Sequence, residues 1–148
     1  MSVDARGNVT EEVIGGLTSQ RGFDADTGHL NSIVSLSGVL QDLAYSFDEL
    51  GNLTSRSDTT YTNNFTESYF YDALNRLTAT SSATANNLTL TYDAAGNIKT
   101  KSNLQSGATY HYGSSTVRPH AVTSVGGISY SYDANGNMIG GDGRSISY

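Results

Sequence analysis

Apolar and small polar residues alternate along several stretches of the chain. Leu43, Tyr45 and Phe47 share one parity and Ala44 and Ser46 the other; Leu88, Leu90 and Tyr92 stand against Thr89 and Thr91, and Ile128, Tyr130 and Tyr132 against Ser129 and Ser131. A period of two gives a strand one aromatic or aliphatic face and one hydroxylated face. No stretch shows a capped 3.6-residue period, and Ser37 to Leu43 predicts a helical turn at most. The expected fold is all-β, with little or no helix.

The alternating stretches run into one recurring motif: an aromatic residue, Asp, two variable residues, Gly, Asn and an apolar residue. Its clearest copies are Phe47-Asp48-Glu49-Leu50-Gly51-Asn52-Leu53, Tyr92-Asp93-Ala94-Ala95-Gly96-Asn97-Ile98 and Tyr132-Asp133-Ala134-Asn135-Gly136-Asn137-Met138. Tyr71-Asp72-Ala73-Leu74-Asn75-Arg76-Leu77 puts Asn in the Gly place. Two looser copies begin at Val3 and Phe23, the second with one extra loop residue, and Tyr112 marks a degenerate copy midway between Tyr92 and Tyr132. The predicted organisation is a single array over residues 1–148, with units starting near 3, 23, 47, 71, 92, 112 and 132. Steps of 20 to 24 residues leave room for two strands of about six residues and a turn at each end, so each unit reads as a β-hairpin.

Turn chemistry explains why these residue types recur. Asp favours the first position of a type I turn, and a residue at positive φ closes a short hairpin with a bulge, which Gly does without steric conflict and Asn tolerates. The residues expected to build the turns are therefore Asp48, Gly51 and Asn52; Asp72 and Asn75; Asp93, Gly96 and Asn97; and Asp133, Gly136 and Asn137.

Composition narrows the function. Hydrophobic residues make up 36% of the chain, and Ser, Thr and Asn together about a third, so a thick apolar core is not expected. A net charge of -6, with Lys99 and Lys101 as the sole lysines, leaves no basic stripe for nucleic acid. No apolar run is long enough for a membrane span, and Met1-Ser2-Val3-Asp4 lacks the basic and apolar regions of a signal peptide. The absence of Cys excludes disulfides and thiolate metal sites.

Candidate chemistry is scattered. His29, His111 and His120 lack partners at metal-ligand spacing, and His120, following Pro119, reads as serving a turn. Asp24, Asp26 and Gly28, or Asp133, Asn135, Asn137 and Asp142, offer oxygens at alternate positions, but neither stretch has both the Gly and the Glu of an EF-hand loop, and turn formation accounts for them. No Gly-x-Ser-x-Gly elbow is present, and Gly140-Gly141-Asp142-Gly143 reads as a hairpin turn, not a phosphate loop. The expectation is a non-enzymatic protein with no cofactor and no metal. The ten Tyr pack across strands in the leading reading; exposed Tyr stacking on sugars gives a second, a carbohydrate-binding or adhesive module. Because a hairpin array leaves an unpaired strand at each end, self-association through exposed sheet edges is expected.

The recurring YD-x-x-G-N-[LIM] unit resembles the YD repeat of Rhs proteins, a group that includes the C components of Tc insecticidal toxins, bacterial polymorphic toxins, wall-associated proteins and, more distantly, teneurins. Arg118-Pro119-His120-Ala121-Val122-Thr123-Ser124-Val125-Gly126-Gly127, followed by Tyr130 to Met138, is similar to the segment that precedes the Rhs core region in many of them. The resemblance covers essentially the whole chain. It implies a β-sheet ribbon that spirals into a hollow shell around a C-terminal toxin, and a secreted or cell-surface location. Implied partners are adjoining repeats of the same protein and an enclosed toxin domain. Seven units are fewer than a full shell uses, so the expectation is an excised or naturally short segment; without the Asp-Pro-rich motif of the self-cleaving protease, no autoproteolytic residues carry over.

Overall fold

The computed structural model describes residues 1–60, 64–83, 87–104, 107–114 and 117–148. They hold antiparallel strands and turns, with no α-helix among them. The chain divides into two compact units, Met1–Asn87 and Leu88–Tyr148.

In the first unit, β1 (Ser2–Val3), β2 (Val9–Ile14), β3 (Leu17–Phe23), β4 (Leu30–Ser35), β5 (Gln41–Phe47), β6 (Leu53–Asp58), β7 (Phe65–Tyr71) and β8 (Leu77–Ser82) form a meander in which each strand pairs with the next. In the second, β9 (Leu88–Tyr92) pairs with β10 (Ile98–Lys101), and β11 (Tyr110–Ser114), β12 (Val117–Val125), β13 (Ile128–Tyr132), β14 (Met138–Gly141) and β15 (Arg144–Ser145) make a second meander. A lone bridge, Thr100 to Thr109, joins β10 to the segment entering β11.

Each hairpin has the same register. The first residue of the motif faces its last apolar residue: Val3 with Val9, Phe23 with Leu30, Phe47 with Leu53, Tyr71 with Leu77, Tyr92 with Ile98 and Tyr132 with Met138. A register shift accompanies each of these pairs, as a turn closed through a bulge requires. Tyr112 faces Val122 in the same way across a longer connection.

Two kinds of turn alternate. The YD turns close the hairpins, and return turns at the opposite strand ends lead into the next. Gly15-Gly16 (φ 59 and 83) and Gly126-Gly127 (φ 57 and 84) make return turns, the positive-φ pair that suits a twisted two-residue hairpin. The stretch from Ser37 to Leu43 departs from the expected helical turn. Leu36 and Ser37 have φ of 50 and 51 and Gly38 of 85, a left-handed loop, and strand β5 takes the remainder from Gln41. Reversal into an adjacent antiparallel strand is better met by positive-φ residues than by a right-handed helical turn.

Pairing between hairpins is partial. β2 meets β3 from Glu11–Gln20 to Ile14–Leu17, β6 meets β7 from Ser55–Ser68 to Asp58–Phe65, and β12 meets β13 through Ser124–Ser129 and Val125–Ile128. Neighbouring hairpins are therefore zipped near the return turns and part towards the YD turns. Alternation holds as expected: Leu43, Tyr45 and Phe47 are half-buried while Ala44 and Ser46 are exposed, and Ile128, Tyr130 and Tyr132 contrast likewise with Ser129 and Ser131. Among the described residues the buried hydrophobic side chains are Leu90 (8% exposed) and Val125 (2%). With so thin a core, the ladders and turns carry a large share of the structural definition.

Candidate functional site

The YD turns are the most repetitive chemical feature of the molecule. In the turns of Asp4, Asp48, Asp93 and Asp133, one carboxylate oxygen accepts the amides two and four residues on, and the other accepts the side-chain amide of Asn8, Asn52, Asn97 or Asn137, all at 2.8 to 2.9 Å. The Asp carbonyl meanwhile accepts the amide of Gly7, Gly51, Gly96 or Gly136 at 3.0 to 3.2 Å. Those glycines lie at φ 86, 83, 87 and 90.

The variants keep the geometry by other means. At Asp72, Arg76 replaces the Asn, donating its amide and Nε at 3.0 and 2.8 Å with an ion pair at 2.7 Å, and Asn75 takes the Gly position at φ 58. In the longer Asp24 turn, Thr27 donates both amide and hydroxyl, at 2.7 and 2.8 Å. These bonds stabilise the ionised carboxylate, so all six aspartates titrate below their ordinary range. The main cause is the side-chain donor Asn8, Asn52, Arg76, Asn97 or Asn137 for Asp4, Asp48, Asp72, Asp93 and Asp133, and the Thr27 amide for Asp24.

Neighbouring YD turns are tied side by side. Arg6 donates to the carbonyls of Ala25 and Asp26 in the next turn. His29 packs against Phe47, their ring centroids 4.6 Å apart and the planes tilted by 41°, and Asn52 Nδ2 donates to Asn75 Oδ1 at 3.0 Å. In the second unit the sixth hairpin lacks an Asp turn, and Arg118-Pro119-His120 takes its place between the flanking turns. Asn97 Nδ2 donates to the Pro119 carbonyl at 3.1 Å, His120 Nδ1 lies 2.6 Å from Asn97 Oδ1, and Arg118 donates to the Asp133 carbonyl. Because Asn97 Nδ2 already serves two acceptors, its Oδ1 must accept, and His120 carries its proton on Nδ1. His120 thus stands within β12 and serves the neighbouring turn of Asp93 through Asn97.

A second set of ties crosses the gap where hairpins part. Tyr71 donates its hydroxyl to the Leu53 carbonyl at 2.8 Å, Tyr112 to Ile98 at 2.7 Å and Tyr132 to Val122 at 2.8 Å. In each case the motif aromatic of one hairpin bonds the carbonyl just beyond the turn of the preceding one. Burial pushes the Tyr71 and Tyr112 phenols up. Tyr69, desolvated and bonded to Glu67 at 2.7 Å, is pushed up to about 12. Sequence reasoning gave these rings a packing role but missed their hydroxyl ties, whose signal is the choice of Tyr over Phe at the motif's first position.

The structure distributes the other candidates. Among the described residues no three of His, Cys, Asp and Glu gather around a common point. The turn bonds occupy the Asp24 and Asp133 carboxylates, and Asp142 pairs with Arg144 at 3.4 Å. Asp142 and Gly143, at φ 53 and 71, turn the chain from β14 into β15. No helix among the described residues is long and apolar enough to cross a membrane.

A family model described as teneurin YD-shell matches residues 37–148. The chain belongs to the teneurin YD-shell family. The match begins beyond the two loosest copies of the motif, and it spans the turns at Asp48, Asp72, Asp93 and Asp133 together with the Arg118-Pro119-His120 segment. The chain is also similar to solved structures of Tc toxins. It matches a chain of the TcdB2-TccC3-Cdc42 crystal structure with a TM-score of 0.69 at 16% identity, covering 93% of this chain and 9% of that one. It matches a chain of the Photorhabdus luminescens Tc holotoxin pore carrying a TccC3 mutation with a TM-score of 0.64 at 18% identity, again over 93% of this chain and 9% of that one. At such identity the likeness is one of fold, and this YD-shell chain spans less than a tenth of either. No curated protein matches the sequence.

Proposed function

We propose that this chain is a non-enzymatic length of β-sheet wall, which adjoins further repeats of the same kind to enclose a toxin-type cargo or to build a self-assembling extracellular structure. The observation that carries this reading is the double tie between successive hairpins: side-chain contacts from YD turn to YD turn, and tyrosine hydroxyls bonded across the parting strands. Such ties hold position without presenting a reactive group, because their carboxylates and phenols are engaged in the fold itself. Wall continuity requires pairing beyond the strands described, and β1 and β15 each have a neighbour on one side only among those strands. A secreted or cell-surface location accords with the family.

Negative-stain electron microscopy and sedimentation of the purified chain over a concentration series test the self-association. Regular end-to-end assemblies that grow with concentration are expected, and Ser145→Pro, which removes an edge donor, should suppress them. Discrete particles at every concentration would contradict self-assembly and leave enclosure within a longer shell as the form of the wall.

A further inference from the structure

We propose that Asn135 is a site of spontaneous covalent modification: when the Asp133 turn opens, Asn135 closes onto the Gly136 amide, loses ammonia and becomes isoaspartate, which makes the opening permanent. Asn135-Gly136 is the sole Asn-Gly pair in the chain. The motif's own asparagines are protected twice. Asn8, Asn52, Asn97 and Asn137 hold their side-chain amides on Asp carboxylates at 2.9 Å, and each is followed by a bulky residue, Val9, Leu53, Ile98 or Met138, that crowds the next backbone amide. Asn135 instead occupies a variable position of the motif. It is exposed, its side chain enters no hydrogen bond among the described residues, and the residue after it has no Cβ to hinder approach. The turn itself supplies the restraint. Gly136 N, the attacking atom, donates to the Asp133 carbonyl at 3.2 Å, and Asn135 N donates to Asp133 Oδ1 at 2.9 Å, so the nucleophile is engaged while the turn is closed. Arg118 donates to the same Asp133 carbonyl and adds to the hold.

The step balances without a catalyst or a redox partner. The Gly136 nitrogen bonds Asn135 Cγ, the Cγ–Nδ2 bond breaks, and the proton of the Gly136 amide leaves with Nδ2 as ammonia, giving a cyclic imide. Water then opens the imide at either carbonyl. Opening at Cγ leaves aspartate; opening at the main-chain carbonyl carbon leaves a backbone that runs through Cγ, one methylene longer, with a free carboxylate beside it. The longer backbone no longer sets the amides of Gly136 and Asn137 at the spacing by which Asp133 accepts them. The new carboxylate also stands close to that of Asp133, a like charge that opposes reclosure. The site is independent of the wall reading, since it rests on the bonds of one turn.

Incubation of the full chain at mildly alkaline pH, followed by peptide mapping with mass spectrometry and isoaspartyl methyltransferase labelling, tests the proposal against a free peptide spanning Tyr132–Met138. Asp142-Gly143 can take the label without losing ammonia, so the mass change is read on the fragment that carries Asn135. Asn135 should convert before any other asparagine of the chain, and about tenfold more slowly than in the peptide, because attack requires local opening. Arg118→Asn, whose side chain accepts the φ of 54 at that position but is too short to reach Asp133, should convert about fivefold faster than wild type, the equilibrium worth of one hydrogen bond. Asn135→Ala, which copies Ala95 of the Asp93 turn, should abolish the label at this turn and leave the circular dichroism unchanged. In the converted chain the Asn137 amide should lose its protection from hydrogen exchange. Equal rates in chain and peptide, an Asn135 still intact long after the peptide has converted, earlier conversion of another asparagine, a wild-type rate in Arg118→Asn, or retained protection at Asn137 would each overturn the assignment.

Discussion

At the scale of single residues, the YD turn is defined by one carboxylate and one positive φ. Gly96 lies at φ +87 with open space where a Cβ would stand, so the obstacle to a side chain there is backbone conformation and not a clash. Gly96→Val should therefore destabilise the fold by about 1–3 kcal/mol, whereas Ala95→Val, one residue earlier and exposed, should stay within about 0.5 kcal/mol. Paired urea melts check the contrast, and equal midpoints would contradict the turn geometry. The same carboxylates predict the acid response. Their folded-state values are depressed, so their contribution is complete above the unfolded Asp value of about 3.9 and is lost as pH falls through the lower folded values. Thermal melts between neutral pH and pH 2 should show the loss concentrated below about pH 4, with a shallower acid limb in Asp48→Asn. A flat profile through that window would contradict the carboxylate role. This level was the most legible in sequence, because Asp-x-x-Gly states both requirements within four residues. Less legible were Leu36 and Ser37 at positive φ, since their side chains carry no turn signal and only Gly38 hints at the left-handed loop.

At the scale of the hairpin, register follows from the motif, but the joint between hairpins does not. Strand alternation shows which residues share a face; it says nothing about pairing that stops short of the YD turns or about a tyrosine hydroxyl taking over there. Tyr112 bonds Ile98 at 2.7 Å beside the isolated Thr100–Thr109 bridge, so its hydroxyl ties β11 to β10 where, among the described residues, ladder pairing is down to that bridge. Tyr112→Phe should destabilise the second unit by about 1 kcal/mol, the net value of one hydrogen bond, while leaving the aromatic packing in place. Chemical denaturation followed by tyrosine fluorescence would measure it, and an unchanged midpoint would show the bond to be incidental. Arg118-Pro119-His120 illustrates the limit of motif reading. In sequence the segment follows a degenerate copy and His120 reads only as serving a turn; in the structure the segment fills the missing sixth turn by bonding Asn97 on one side and Asp133 on the other. Contacts between residues 15 to 23 positions apart have no local signature.

At the scale of the whole molecule, the all-β class and the repeat were legible because every level agreed: period-two alternation, turn residues at fixed offsets and steps of 20 to 24 residues. What sequence left open was how so thin a core holds the array in order, and the ties along the YD edge supply the answer. Native-state amide hydrogen exchange tests this most directly. The amides of Leu50, Asn52, Ala95, Asn97, Asn135 and Asn137, which donate to Asp oxygens at 2.8 to 2.9 Å, should be protected together with the strands of their own unit, despite the exposure of several of these residues. Tyr112→Phe should then speed exchange in both β10 and β11. Turn amides exchanging at the free-peptide rate while the strands stay protected would contradict the account, since the turns would then be loose ends and not the ties of a wall.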